Sequence, residues 1–142
     1  VLAFLVGGTV GMLRADPEVR GVDISVDVPA LSVDVDAQLI QQALVNLVLN
    51  SVRAMDSDGS IVVSARPQGA MCWVEVADDG PGIPLDLRAQ VFEPFFTTRN
   101  RGTGLGLATV KRTVERHGGS VSLHCPPQGG TVVRMVLPTS PA

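Results

Sequence analysis

Two asparagines four residues apart, Asn46 and Asn50, interrupt an otherwise aliphatic stretch from Gln38 to Arg53. Asparagine is a poor helix-interior residue because its side chain competes for backbone hydrogen bonds. With Gln42 and Arg53 the pair falls on one helical stripe, since steps of four, four and three return to the same side. An Asn carbonyl oxygen is a neutral, hard ligand of the kind Mg²⁺ accepts when phosphate and water complete its shell. A solvated polar stripe fits the same spacing.

A second cluster is Asp78-Asp79-Gly80-Pro81-Gly82-Ile83-Pro84. Cys72, Val74 and Val76 share one face by period two, and Asp78 has the same parity. A carboxylate on that face needs hydrogen-bond donors, and an adenine amino group would supply one. The glycines let backbone approach a flat ligand closely. The same residues also suit a turn that ends a strand. Three of the four Phe residues then crowd into Phe92-Glu-Pro-Phe95-Phe96, enough to anchor one end of a loop or to form a small satellite core. Arg101-Gly102-Thr103-Gly104-Leu105-Gly106-Leu107 leads straight into a helical pattern. Glycine-rich backbone at a helix start can cradle phosphate. This segment is neither a Walker A nor a Rossmann fingerprint.

The elements that must hold these residues can be read coarsely. Residues 1–15 form a weak helix, and Val22 to Val28 a half-buried strand. Leu31 to Val35 alternates as a second short strand. Asp36 caps a helix over about 37–55, whose core positions are 40, 43, 44, 47, 48, 51 and 55. Ser60–Ala65 and Met71–Ala77 make a hairpin around a turn at Pro67-Gln-Gly69. A long loop over 78–104, with a turn of helix near 85–91, precedes a helix over about 105–117. That helix stops at Gly118-Gly119, and a second hairpin closes the chain. This order gives an α+β two-layer sandwich: a mixed, largely antiparallel sheet of about five strands covered on one face by about three helices.

Composition narrows the function. The 142 residues suffice for one core without staples, and only five are aromatic. A net charge of −3 argues against a broadly basic nucleic-acid or membrane binder. Charge is uneven, however: residues 99–116 carry +4 and the rest −7, a basic island suited to an anionic ligand. Cys72 and Cys125 have no metal-binding spacing and are expected as buried free thiols. The apolar opening run is too short to span a bilayer. The chain begins with Val and is expected to be part of a longer protein.

Together, in this order and spacing, the four clusters resemble the GHKL ATP-binding fold, most closely the catalytic domain of bacterial sensor histidine kinases of the nitrogen-regulation type. The resemblance covers about residues 20–138. Asn46-x-x-x-Asn50 is similar to the family's N box. Asp78-x-Gly80-x-Gly82 and Gly102-Thr-Gly-Leu-Gly-Leu107 resemble its glycine boxes, and Phe92-Glu-Pro-Phe-Phe its F box. Gly130-Thr131-Val-Val resembles the last-strand motif of gyrase relatives. Ser51 departs from the usual Ala, a change small enough to fit.

The resemblance implies ATP and Mg²⁺ as cofactors. Asn50 would hold the metal with Asn46 beside it as the catalytic pair. Asp78 would accept from the adenine amino group, with Thr131 supporting through water. Gly80, Gly82, Ile83 and Phe92 would line the nucleotide. Gly102, Thr103, Gly104, Leu105, Gly106 and Leu107 would meet the phosphates, and Arg53, Arg99 and Arg101 are candidate phosphate contacts. A lid over about 93–104 is expected to be mobile. The partners implied are a separate dimerisation domain bearing the phosphoacceptor histidine and a response regulator, in the cytoplasm, with no nucleic acid and no membrane contact. Residues 1–16 would be the remnant of a connecting helix and 17–142 the ATP-binding domain. GHKL ATPases are the alternative, but they place a general-base Glu four residues before the metal-binding Asn, where this chain has Asn46. A non-catalytic nucleotide-binding module is the third reading.

Overall fold

A computed structural model describes residues 2–56, 58–88, 90–93 and 106–139. Among them lie three α-helices, α1 (Leu2–Arg14), α2 (Ala37–Ala54) and α3 (Gly106–Arg116). Five strands, β1 (Val22–Asp27), β2 (Gly59–Gln68), β3 (Met71–Asp78), β4 (Ser120–His124) and β5 (Thr131–Pro138), form one sheet in the order β1-β2-β3-β5-β4. β1 runs parallel to β2, with α2 as the crossover; every other neighbour is antiparallel. This is the expected mixed, two-layer arrangement.

The core lies between the helices and one sheet face. α2 buries Ile40, Ala43, Leu44, Leu47, Val48, Ser51 and Val52, with Met55 at its end. They meet Cys72, Val74 and Val76 of β3 and Val133, Met135 and Leu137 of β5. Thr131 is buried on the same β5 face, as parity requires. Asp36 caps α2 by accepting from the Gln38 and Leu39 amides. On the opposite sheet face Arg134 lies 3.7 Å over the Trp73 ring and pairs with Glu75 at 2.9 Å.

Two local expectations are revised. Leu31, Val33 and Val35 alternate and pack against the core, but they form only a single bridge, Val33 to Thr139. β5 ends at Pro138, so no further edge is offered for a ladder. The first hairpin turns at Gly69-Ala70, because β2 continues through Pro67 to Gln68. Its pairing to β1 has already stopped at Ser64, so Pro67 sits where a missing amide costs nothing. Finally, α1 buries Leu2, Val6, Val10 and Leu13 in the common core. The apolar stripe at 2, 6, 10 and 13 was the signal for this.

Candidate nucleotide site

The end of β3 and the start of β5 are brought together by register: Asp78 lies opposite Thr131. Gly130 makes this possible. Its φ is +89°, and a Cβ there would run into the Asp78 carbonyl oxygen. Asp78 Oδ1 accepts from the Gly80 amide at 3.0 Å and from the Thr131 amide at 3.2 Å. Its Oδ2 has no partner among the described residues. The carboxylate is thus half-buried, held in place by main chain, and left with one acceptor oxygen for a ligand.

The glycine box beyond it is shaped by close approach. Gly80 lies under Met55, whose Cγ would be 2.9 Å from a Cβ, so the end of α2 rests on this loop. Gly82 has φ +79° and passes the Gly130 carbonyl oxygen, 3.2 Å from where a Cβ would stand. The Ile83 carbonyl accepts from Arg88 Nε at 2.9 Å, which ties the loop to the 3₁₀ turn Leu85–Leu87. Asp79 completes the frame: its Oδ1 accepts from the Ser60 amide at 2.9 Å.

The asparagine stripe lies on the outer side of α2. Asn46 is half-buried and Asn50 exposed. Among the described residues no group of three His, Cys, Asp or Glu could hold a metal by itself. A cation here would therefore take an amide oxygen from α2 and its remaining charge from a phosphate, the pattern Mg²⁺ tolerates. The amide oxygens of Asn46 and Asn50 are of a type that fits a nucleotide-borne Mg²⁺, and the described residues hold no self-sufficient metal centre. Arg53, expected as a candidate phosphate contact, pairs here with Glu18, with Nε–Oε2 at 2.8 Å and Nη2–Oε1 at 3.4 Å. That hydrogen bond is the main reason its pKa is raised above the ordinary arginine value.

Phe92 packs half-buried against the core beside Val91. Gly106 opens α3, and Leu107 packs on the core. Arg99, Arg101, Gly102, Thr103, Gly104, Leu105 and the lid beyond Glu93 lie outside the described residues. Two residues belong to the site without having been singled out for it. In the sequence Gly130 stands out only as part of the Gly130-Thr131-Val-Val motif. Cys125, expected in the core, instead stands half-buried against Thr131; Cys72 alone is fully buried, and burial raises its thiol pKa.

The two histidines also have defined places. His117 follows α3; its Nε2 accepts from the Asp36 amide at 3.0 Å, and its Nδ1 donates to the Thr113 carbonyl at 2.7 Å. His124 ends β4 opposite Val132.

Residues 35–141 match the family described as histidine kinase-, DNA gyrase B-, and HSP90-like ATPase. The sensory histidine kinase/phosphatase NtrB of Rhodobacter capsulatus is 39% identical over 119 residues, covering 75% of this chain and 33% of NtrB. Full-length ShkA in complex with AMPPNP superposes with a TM-score of 0.87 at 27% identity, over all of this chain and 31% of ShkA. Histidine kinase ThkA, solved with the response regulator protein TrrA, gives 0.80 at 27% identity over 96% of this chain and 40% of that one. The chain spans between 15% and 33% of the length of the first curated relatives it matches.

Proposed function

Since the chain belongs to the histidine kinase-, DNA gyrase B- and HSP90-like ATPase family, we propose that it binds ATP with Mg²⁺ and presents the γ-phosphate to a histidine on a separate helical dimerisation domain. A response regulator would then receive the phosphoryl group. The observation that carries this reading is Asp78: one carboxylate oxygen is saturated by two main-chain amides while the other is left as an acceptor. That arrangement suits an exocyclic amino group on a flat base passing Gly82.

In this reading Asp78 orients the base and Thr131 supports it. Asn50, with Asn46 beside it, provides amide oxygen for Mg²⁺. Gly102, Gly104 and Gly106 are assigned to the phosphates, where glycine backbone and the start of α3 favour negative charge. Bound Mg²⁺ neutralises and orients phosphate oxygens. Hydrolysis of the gyrase kind is disfavoured because Asn46 stands where a general-base carboxylate would be needed.

No phosphoacceptor is offered by the chain itself. Transfer needs an imidazole nitrogen roughly 3–3.5 Å from the phosphorus, in line. Both ring nitrogens of His117 are engaged, at the end of α3 remote from Gly106 by about 1.5 Å per residue of helix. His124 is held in the β4–β5 ladder. Labelled ATP should therefore leave the isolated chain unlabelled and should label an added helical acceptor domain from the same parent protein. Stoichiometric acid-labile phosphate on His117 or His124 would overturn the reading.

A further inference from the structure

Met55 follows the last residue of α2 and is buried. Its amide still donates to the Ser51 carbonyl at 3.1 Å, so the residue moves with the helix. Its side chain reaches two glycines from different parts of the chain. The Cγ lies 2.9 Å from where a Cβ on Gly80 would stand, and the Sδ 2.6 Å from where one on Gly59 would. A side chain at either position would collide with this methionine, so both glycines leave room for it.

The two glycines belong to one tied unit. The Ser60 amide donates to Asp79 Oδ1 at 2.9 Å, and the Asp79 amide donates back to the Ser60 carbonyl at 3.2 Å. The start of β2 and the loop after β3 thus hold each other by two hydrogen bonds, and Met55 rests on both. Gly80 in turn donates its amide to Asp78 Oδ1 at 3.0 Å. A continuous line of contacts therefore runs from α2 through Met55 and Gly80 to the Asp78 carboxylate. Asn50 stands five residues earlier than Met55, about 7.5 Å along the helix axis. Close-packed contacts of this kind transmit displacement rather than absorb it.

From this we infer that Met55 is a positioning residue of the nucleotide site: it sets the spacing between the Asn50 end of α2 and the Asp78 carboxylate, so that one ligand can engage both at once. The inference rests on the nucleotide reading above and adds to it a residue assigned to neither end. Two ends at a fixed spacing act on one ligand as linked sites, and binding at one raises the effective concentration at the other. Truncating Met55 leaves Asp78 gripped by the Gly80 and Thr131 amides but frees α2 to shift against the loop. The base end then survives while its link to the metal end weakens. Leucine, close in volume, keeps the gap filled.

The test is calorimetric titration of the chain with ATP, once with Mg²⁺ and once with a chelator in its place, for wild type, Met55→Ala and Met55→Leu. Chemical denaturation first checks that each variant is folded. The readout is the gain in ATP affinity that Mg²⁺ gives. Met55→Ala should cut this gain roughly threefold to tenfold, a small part of what linking two sites can contribute, and leave the affinity in chelator within about twofold of wild type. Met55→Leu should keep the wild-type gain. A merely structural methionine would weaken ATP equally in both conditions, so an unchanged gain in folded Met55→Ala overturns the inference and leaves the nucleotide reading standing. If Met55→Ala does not fold, Met55→Val takes its place under the same criterion, and failure of both to fold overturns the inference by making the residue structural. Wild type that binds no ATP, or binds it with no gain from Mg²⁺, overturns the inference together with the reading it rests on.

Discussion

The proposed base end and the proposed metal end of this site are built by different means. At Asp78 and Thr131 the main chain does the positioning: two amides grip one carboxylate oxygen, and Gly82 and Gly130 bring backbone against backbone. At Asn46, Asn50 and Arg53 the positions are side chains on the outer surface of a helix, and the charged one is held by a partner that is not a ligand. The first end is shaped before a ligand arrives. The second, in the proposed reading, would need the ligand's own phosphates to complete it. A site divided in this way can select its base by geometry while leaving the phosphate end open to rearrangement.

The sharpest way to break the contrast is Gly130→Ala. A Cβ there meets the Asp78 carbonyl oxygen on a backbone of positive φ. The β3–β5 register must shift at that point, costing on the order of 3 kcal/mol. Chemical denaturation should show this loss together with loss of nucleotide binding; full stability would mean that the close approach is not what joins the two strands.

Asp78→Asn comes next. The amide keeps an oxygen for Gly80 and Thr131 but turns a donor toward the ligand, so stability should hold while affinity falls. A mispaired group costs about 1–3 kcal/mol, roughly fivefold to more than a hundredfold in affinity. Adenosine, which has no phosphates, should lose as much as ATP. Equal adenosine binding by wild type and variant would remove Asp78 from the base end.

Asn50→Ala probes the other end. It should abolish the gain in ATP affinity on adding Mg²⁺ and leave adenosine binding unchanged. Retention of the full Mg²⁺ effect would show that the metal is held elsewhere. The smallest effect is expected from Glu18→Gln. The Arg53 pair is substantially exposed, with side chains 41% and 28% accessible, and such pairs contribute at most about 1 kcal/mol. Stability should change little. ATP affinity should rise modestly if Arg53 is released toward phosphate, and an affinity that falls would give Glu18 the opposite role.

How much of this could be read from the residues follows the same division. Periodic features were legible. The α2 core positions 40, 43, 44, 47, 48, 51 and 55 are all buried, and the parity of Thr131 with Val133, Met135 and Leu137 holds. Asp36 caps as its residue type suggests. Features that depend on distant register were not legible. That Gly130 must lack a Cβ because of Asp78, fifty-two residues earlier, has no local signature. The position of Cys125 was hidden for a related reason: a small thiol between two hairpin strands looks the same whether or not it is buried in the core. Leu31–Val35 misled in the other direction, since period two reports burial and says nothing of whether a sheet edge is available.

The crossover from β1 to β2 has a consequence in time as well as in space. A parallel pair cannot form through a tight turn; it waits until the segment between, here α2, has been laid across the sheet. The β2–β3 hairpin closes over a two-residue turn and needs no such wait. Folding of the β1 edge is thus tied to docking of the helix that carries Asn46 and Asn50. In native-state hydrogen exchange, the β1–β2 amides and those of α2 should open as one unit, and the late-forming edge and the helix bearing the asparagine pair should be lost together.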